Sequence, residues 1–273
     1  MSAVRVENTD GLVFMESVSD GSVDLVLTDP PYITSRSSGM DALKRSIDTG
    51  TCAKTEADWD AWTSRGGNAH KQFTEAQKQN YLTYGSIYGK KYAVATDYGA
   101  WDSEFSIDAL ELFVKKFYKK LRKGGTCIIF FDLWKIAELK GLMEAAGFKQ
   151  IRMIEWVKTN PQPLNSATNY LTNCKEFALT GVKGSKPTFN SKYDNGIYNF
   201  PLQGGKDRFH PTQKSTKLFE ELVKKHSNEG DLVMDTFLGS GTTANACVSC
   251  GRRFVGCESN KEYFDKMVIK SAL

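Results

Sequence analysis

The chain has 273 residues, with 36 Lys and Arg against 32 Asp and Glu and 40% hydrophobic residues. Those values exclude wholesale disorder and suit one large α/β domain or two small ones. No apolar run approaches the roughly 18 residues of a membrane span, and the first residues (MSAVRVENTDGLVF) lack a basic-then-apolar signal pattern. The net charge of +4 is too mild to name nucleic acid as partner, so the first expectation is only a soluble, cytoplasmic protein with no membrane contact.

Residues 23–28 (VDLVLT) form a short apolar run rich in β-branched side chains, which predicts a buried strand, and Asp29-Pro30-Pro31-Tyr32 follows directly. Residues 33–104 break the rhythm: they are polar and carry Trp59, Trp62, Tyr81, Tyr84, Tyr88, Tyr92, Tyr98 and Trp101. An insert of that length reads as a lid. Because Tyr81, Tyr84, Tyr88 and Tyr92 fall at helical spacing, it reads equally as a small packed subdomain. Ile107, Leu110, Leu112, Phe113, Phe117 and Leu121 predict an amphipathic helix over 107–121, stopped by Lys123-Gly124-Gly125. Its basic run (Lys115, Lys116, Lys119, Lys120, Arg122, Lys123) reads as a solvated face.

A strand at 126–131, a helix near 134–146 and strands near 150–158 and 175–181 come next. Residues 182–210 hold five Lys or Arg against two Asp, interleaved with Phe189, Tyr193, Tyr198, Phe200 and Phe209. The chain then gives a helix near 214–227, a strand at 231–235, a glycine loop, a helix at 242–250, a strand at 253–257 and a last helix. Alternation of this kind predicts a mostly parallel sheet with helices on both faces. Six scattered cysteines do not make a disulfide scaffold. Cys247 and Cys250 have half the spacing of a zinc site, and without a second pair the expectation is buried thiols and no metal.

Two segments carry chemistry. After strand 231–235, Gly239-x-Gly241-x-x-Ala244 puts two glycines between a strand and a helix, where the backbone can approach a ligand at a helix N-terminus. Glu258, 19 residues beyond Gly239, ends the next strand and could accept hydrogen bonds from both ribose hydroxyls of a nucleoside cofactor. This pattern alone leaves nicotinamide and other adenosine cofactors open. Asp29-Pro30-Pro31-Tyr32 lies at the carboxyl end of its strand, where open α/β sheets place their chemistry. Two prolines stiffen the turn and leave carbonyls unpaired. A carboxylate and a fixed carbonyl about one residue apart are two acceptors aimed at one –NH2 group, and Tyr32 offers a stacking face for a planar base.

These residues, with DGSVDLVLTDPPY at 20–32, WVKTNPQP at 156–163, HPTQK at 210–214, DTFLGSGTT at 235–243 and VGCESNKEYFDK at 255–266, resemble the amino-group DNA methyltransferases that use S-adenosylmethionine. Because the catalytic motif precedes the cofactor loop, the order resembles the permuted β-group. The resemblance implies a Rossmann-like class I methyltransferase fold, with a seven-stranded sheet that is parallel except for one strand. It divides the chain into a catalytic domain (1–32, 105–181 and 211–273), a variable insert (33–104) and a target-recognition segment (182–210).

For the site, the resemblance implies that the Asp29 carboxylate and the Pro30 carbonyl hold the exocyclic amine, with Pro31 fixing the turn and Tyr32 stacking on a flipped base. Asp235, Phe237, Gly239, Ser240, Gly241 and Thr242 would line the cofactor, Glu258 its ribose and Asp10 its adenine, with Lys214 meeting its methionyl carboxylate. Lys183, Lys186, Lys192, Tyr193, Lys206 and Arg208 would touch DNA. It further implies double-stranded DNA as partner, a homodimer, a cognate restriction endonuclease and the cytoplasm of a bacterial or phage-infected cell. Asp at position 29 favours adenine N6, since the family tends to carry Ser there for cytosine N4. Cytosine N4, a non-catalytic DNA-binding subunit, a nicotinamide dehydrogenase and RNA or protein-glutamine methylation are the alternatives.

Overall fold

The computed structural model describes residues 4–33, 46–65, 68–89, 105–161, 173–204 and 213–269. The chain divides into two compact units, one of Met1–Ile33, Trp101–Leu164 and Leu171–Leu273, the other of Thr34–Ala100 and Asn165–Tyr170.

The larger unit is built on a sheet that has eight strands among the described residues: β1 (Val4–Asn8), β2 (Val23–Thr28), β3 (Leu121–Phe131), β4 (Lys149–Lys158), β5 (Lys175–Val182), β6 (Ile197–Phe200), β7 (Leu232–Asp235) and β8 (Arg253–Glu258), in the order β1-β8-β7-β2-β3-β5-β4-β6. Only β5 runs against its neighbours, β3 and β4. Six of the eight are the expected strands, and β1 precedes the first of them. The eighth, β6, adds itself to β4 from inside the segment read as target recognition, so part of that segment belongs to the sheet.

The helices of this unit among the described residues are α1 (Gly11–Glu16), α4 (Ile107–Lys120), α5 (Ile136–Ala146), α6 (Thr216–His226), α7 (Thr242–Ser249) and α8 (Lys261–Lys266); α2 and α3 belong to the insert. Side chains alternate across each strand, so β2 and β3 feed two cores. Val26, Cys127, Ile129 and Phe131 pack with Phe14, Phe113, Phe117 and Leu139 on one face. Leu25, Leu27, Ile128 and Phe130 pack with Leu218, Phe219, Leu222 and Cys247 on the other. Burial on both faces is why these strands are apolar runs rather than alternating patterns.

On α4, Leu110, Phe113, Val114 and Phe117 recur at helical spacing and are buried. That helix stops at Lys120, earlier than the glycine pair suggests, and the chain enters β3 at Leu121. The glycines serve inside the strand. Gly124 has φ +83°, and the pairing of β3 with β2 jumps from Val23↔Leu121 to Leu25↔Thr126, a bulge. The basic run is a paired face: Lys115 binds Glu111 at 2.6 Å, Lys119 and Lys120 meet Asp20 at 3.2 and 2.7 Å, Lys116 pairs with Glu16 and Arg122 with Asp24.

The smaller unit contains α2 (Glu56–Thr63) and α3 (Glu75–Tyr84), each opened by a capping box, Thr55 with Asp58 and Thr74 with Gln77. Trp59, Trp62, Phe73 and Tyr81 form one ring cluster with centroids 5.0–5.5 Å apart. The described residues therefore have the aromatic core of a packed subdomain. The helix does not continue through Tyr88, because Gly85 takes φ +67° and caps it; Tyr92 lies outside the described residues.

Candidate active site

Strands β1, β8, β7, β2 and β3 run parallel, so their carboxyl ends share one edge. Asp29 leaves β2 there, the glycine loop leaves β7, and Glu258 ends β8. Because β5 is antiparallel, it brings its first residues to that edge: Phe177 lies opposite Phe131. Glu176 thereby reaches the side of Asp29, and Lys158 arrives at the end of β4.

There the Lys214 Nζ lies 2.7 Å from Asp29 Oδ2 and 2.7 Å from Glu176 Oε2, while Lys158 Nζ lies 2.8 Å from Glu176 Oε1. Burial raises the Asp29 pKa, Lys214 opposes that rise, and Glu176 adds to it. Burial also works against the charge on Lys214, but Asp29 and Glu176 outweigh it and hold the ammonium well above its usual range. Glu176, although buried, is held below the ordinary carboxylate value by Lys214 and Lys158. Asp29 Oδ1 is buried without a hydrogen-bond partner, as is Gln213 Oε1 beside Lys214. The Tyr32 ring stands edge-on to Phe131 at 6.0 Å, with Lys214 Nζ 5.3 Å from its centroid. Its hydroxyl is close enough to feel the charges of Asp29 and Lys214 but lacks hydrogen-bond geometry to either. Pro30 is buried and Pro31 half-buried in the same turn.

In the glycine loop, Gly239 has φ +53° and Gly241 φ +82°, conformations that favour glycine. A Cβ on Gly241 would also come within 2.8 Å of the Met267 side chain. Glu258 is only 3% exposed. Its Oε2 accepts from Gly239 N and its Oε1 from Asn260 N, both at 2.7 Å, and burial raises its pKa. Phe237 packs on Phe113 at 4.6 Å, and the hydroxyls of Ser240 and Thr242 lie 3.0 Å apart. Asp10 is exposed and caps α1, its Oδ1 accepting from Leu12 N and Val13 N at 2.8 and 3.1 Å.

The sequence profile of the N6_N4_Mtase family, described as DNA methylase, matches residues 23–270. The chain belongs to that family. As one of its members it is a DNA methyltransferase that uses S-adenosylmethionine. Among its relatives, the Type II methyltransferase M2.DpnII of Streptococcus pneumoniae is 32% identical over 195 residues, 62% of this chain and 70% of that protein. The Type II methyltransferase M2.MboI of Moraxella bovis is 27% identical over 266 residues, 92% of this chain and 81% of its own length. The crystal structure of the M1.HpyAVI–SAM complex superposes with a TM-score of 0.60 at 25% identity, covering 96% of this chain and 97% of that one.

Three groups of expected site residues have partners that the sequence did not show. Lys214, expected at the cofactor's carboxylate, lies between Asp29 and Glu176, whose carboxylates balance an ammonium only 6% exposed. Asp235, expected to face the cofactor, spends its oxygens inward: Thr28 and Thr243 hydroxyls donate at 2.6 Å and Phe237 N at 3.0 Å. It ties β2, β7 and α7 together, and burial lifts its pKa to about 6. Lys183 and Lys186 leave β5 at the amino edge, the opposite end of the sheet from Asp29. Lys183 Nζ donates to Leu121 O at 2.7 Å, and the backbone near Lys186 abuts Gly124. About seven strand residues separate the two edges, roughly 23 Å. Exposed Lys192 and Tyr193 lie on the return path from that far edge, before β6; Lys206 and Arg208 lie outside the described residues.

Sequence reasoning missed Glu176 and Lys158. Glu176 lay in a stretch read only as a strand and Lys158 in WVKTNPQP, quoted for the resemblance without a role of its own; the one usable signal was a charged residue at the end of an otherwise apolar strand. All six cysteines are free, with Cys127, Cys247 and Cys257 fully buried. Among the described residues no three His, Cys, Asp or Glu side chains gather to hold a metal ion, and no helix is long and apolar enough to cross a membrane.

Proposed function

We propose that this methylase transfers the S-adenosylmethionine methyl group to N6 of an adenine flipped out of duplex DNA, at a specific site, with Asp29 at the reacting nitrogen. The observation that carries this reading is the inequality of the two Asp29 oxygens: Oδ2 is anchored on Lys214 and Oδ1 is buried without a partner. A buried acceptor left unpaired costs about 1–3 kcal/mol, and that cost is recovered when a donor arrives.

The cofactor fits the glycine-loop side. A carboxylate has about four acceptor positions, and Glu258 uses two on the backbone, leaving two for ribose hydroxyls. Gly239 and Gly241 let the backbone approach the ligand, Phe237 walls the methionyl side beside Ser240 and Thr242, and Asp10 stands at the end of β1 toward the adenine. Bound there, S-adenosylmethionine supplies an electrophilic methyl group on a positively charged sulfur.

Adenine's exocyclic nitrogen is a poor nucleophile, because its lone pair is delocalised into the ring. Asp29 Oδ1 and the Pro30 carbonyl accept its two N–H groups, which favours a pyramidal nitrogen and frees the lone pair for in-line attack. As the N6–methyl bond forms, the sulfur–methyl bond would break and S-adenosylhomocysteine would leave; the nitrogen turns acidic only as the methyl arrives, so Asp29 Oδ1 need not be strongly basic to take up its proton. Positioning and fixed charge supply most of the catalysis. Tyr32 stacks on the extruded base, repaying part of the few kcal/mol that flipping costs. We extend the proposal to a homodimer working in the cytoplasm beside a restriction endonuclease of matching specificity.

The test is incubation with genomic DNA and labelled S-adenosylmethionine, followed by nucleoside analysis. N6-methyladenine in duplex DNA is expected, absent with Asp29→Ala. Label in N4-methylcytosine instead would overturn the base assignment.

A further inference from the structure

The chain Asp29–Lys214–Glu176–Lys158 alternates in sign and is mostly buried, its side chains being 22%, 7%, 19% and 13% exposed. Neither lysine was needed to explain the fold, and Glu176 has no part in the reaction as derived above. A lone buried ammonium is costly, and a single carboxylate would neutralise it. A second carboxylate on the same ammonium then requires the second cation that Lys158 provides. The quartet is therefore balanced around Asp29 rather than around any packing need.

We propose that Lys214 is a positioning residue that selects which Asp29 oxygen meets the target amine, and that Glu176, steadied by Lys158, sets how much of the Lys214 charge Asp29 feels. This rests on the reading that Asp29 accepts from that amine.

The geometry carries both halves. A carboxylate can turn about its Cβ–Cγ bond and exchange its oxygens; Lys214 on Oδ2 at 2.7 Å removes that freedom and leaves Oδ1 as the buried oxygen without a hydrogen-bond partner. The ammonium has three donors and lies 2.7 Å from one oxygen each of Asp29 and Glu176. An ammonium bound to Asp29 alone would draw electron density from the acceptor and weaken its grip on the amine. Shared with Glu176, it orients Asp29 while costing it less basicity. The groups that face Asp29 are Lys214, Glu176 from β5, Tyr32 from its own turn and Asp235 from β7, with Lys158 acting through Glu176. The same ammonium lies 5.3 Å from the Tyr32 ring and 5.7 Å from the Phe130 ring, so it also holds the proposed stacking residue beside the carboxylate it aims.

Opposite consequences follow for the two partners. Removing the Lys214 charge leaves two desolvated carboxylates together, so Asp29 holds its proton to higher pH. Removing the Glu176 charge gives Asp29 the whole of the ammonium, so its proton leaves at lower pH. The experiment is single-turnover methyl transfer from pH 5 to 9 on duplex DNA, for the wild type, Lys214→Met, Glu176→Gln and Lys158→Met. Cofactor affinity is measured by calorimetry on each.

The acid limb should move up by about one pH unit in Lys214→Met and down in Glu176→Gln. Lys158→Met should move it up by less, and provides the same test should Lys214→Met fail to fold. The transfer rate should fall about 10²-fold in Lys214→Met, with part of it restored in Lys214→Arg, and cofactor affinity should change less than threefold in all. Limbs that coincide, or that move in the same direction for Lys214→Met and Glu176→Gln, overturn the proposal. So does a loss in Lys214→Met that appears as cofactor affinity. Full transfer by Asp29→Ala would instead overturn the underlying role of Asp29, and is read separately in the same assay.

Discussion

The two edges of the sheet differ in what their charged groups are spent on. At the carboxyl edge stand the half-buried acids Asp29 and Glu176 and the buried acids Asp235 and Glu258. At the amino edge stand cations whose ammonium or guanidinium groups are spent on main-chain carbonyls. Lys120 donates to Val18 O and Lys183 to Leu121 O, both at 2.7 Å, and Arg252 donates to Ser227 O at 2.7 Å. The acids keep acceptor capacity in reserve, Asp29 on one oxygen and Glu258 on both; the cations have little left to offer. Net positive charge therefore said little about where DNA is engaged, and a cofactor carrying a sulfonium charge meets the acidic edge.

The sharpest way to break this contrast is at Asp29. Asp29→Ala should lower single-turnover methyl transfer by about 10²–10³-fold, with cofactor affinity by calorimetry nearly unchanged; a parallel loss of affinity would mean that the edge works as one binding site without division of roles.

At the amino edge the expected effect is on stability. His226 is buried and its pKa is pushed down from 6.5 to about 4, chiefly by desolvation. The folded state thus resists taking up a proton that the unfolded chain accepts. The associated stability is complete above pH 6.5 and is lost as pH falls toward 4, by up to about 3 kcal/mol. Urea titrations of the wild type and His226→Gln at pH 7 and 4.5 should show a smaller pH difference in the variant.

A middle-sized effect belongs to Glu258. Glu258→Ala should weaken cofactor binding by roughly 10- to 100-fold, and an unchanged dissociation constant would remove the ribose assignment. The smallest is at Lys183. Lys183→Met should cost about 1 kcal/mol of unfolding free energy and leave DNA affinity in a salt titration within twofold, whereas a DNA-facing cation would reduce the salt slope by about one. Deleting the segment around it is not a clean alternative, because β6 pairs with β4 and Asn190 Nδ2 donates to Lys224 O and Ser227 O at 2.9 Å.

What the sequence disclosed was local. The strand before Asp29, the rigid proline turn, the glycines at positive φ and the acid ending β8 each declare themselves within a few residues. Lys214 was marked as a site residue, but its place between Asp29 and Glu176 was not foreseen, because those neighbours are set by pairing across the sheet. Glu176 comes to Asp29 only through the antiparallel β5, and no local pattern in KEFALTG announces an opposite direction. The glycine pair after α4 looked like a helix stop and proved to be a strand bulge, since a positive φ serves either purpose. The tyrosine ladder overran its helix for the same reason at Gly85.

The direction of β5 has one more consequence. Lys175, Glu176 and Phe177 follow one another, so a slip of one residue would bring a cation or a phenyl ring to the place of the acid. Gly181 guards against this. A Cβ there would come within 3.2 Å of Phe148 Cβ and 2.7 Å of the end of the Met143 side chain, so a residue sliding onto that position forces both neighbours to shift. A molecule that escaped the guard would keep its helix and strand content and most of its core, yet its charge quartet would be broken. Circular dichroism would report such a species as folded, and in preparations of this enzyme the active-site titre, rather than the spectrum, is the measure of correct folding.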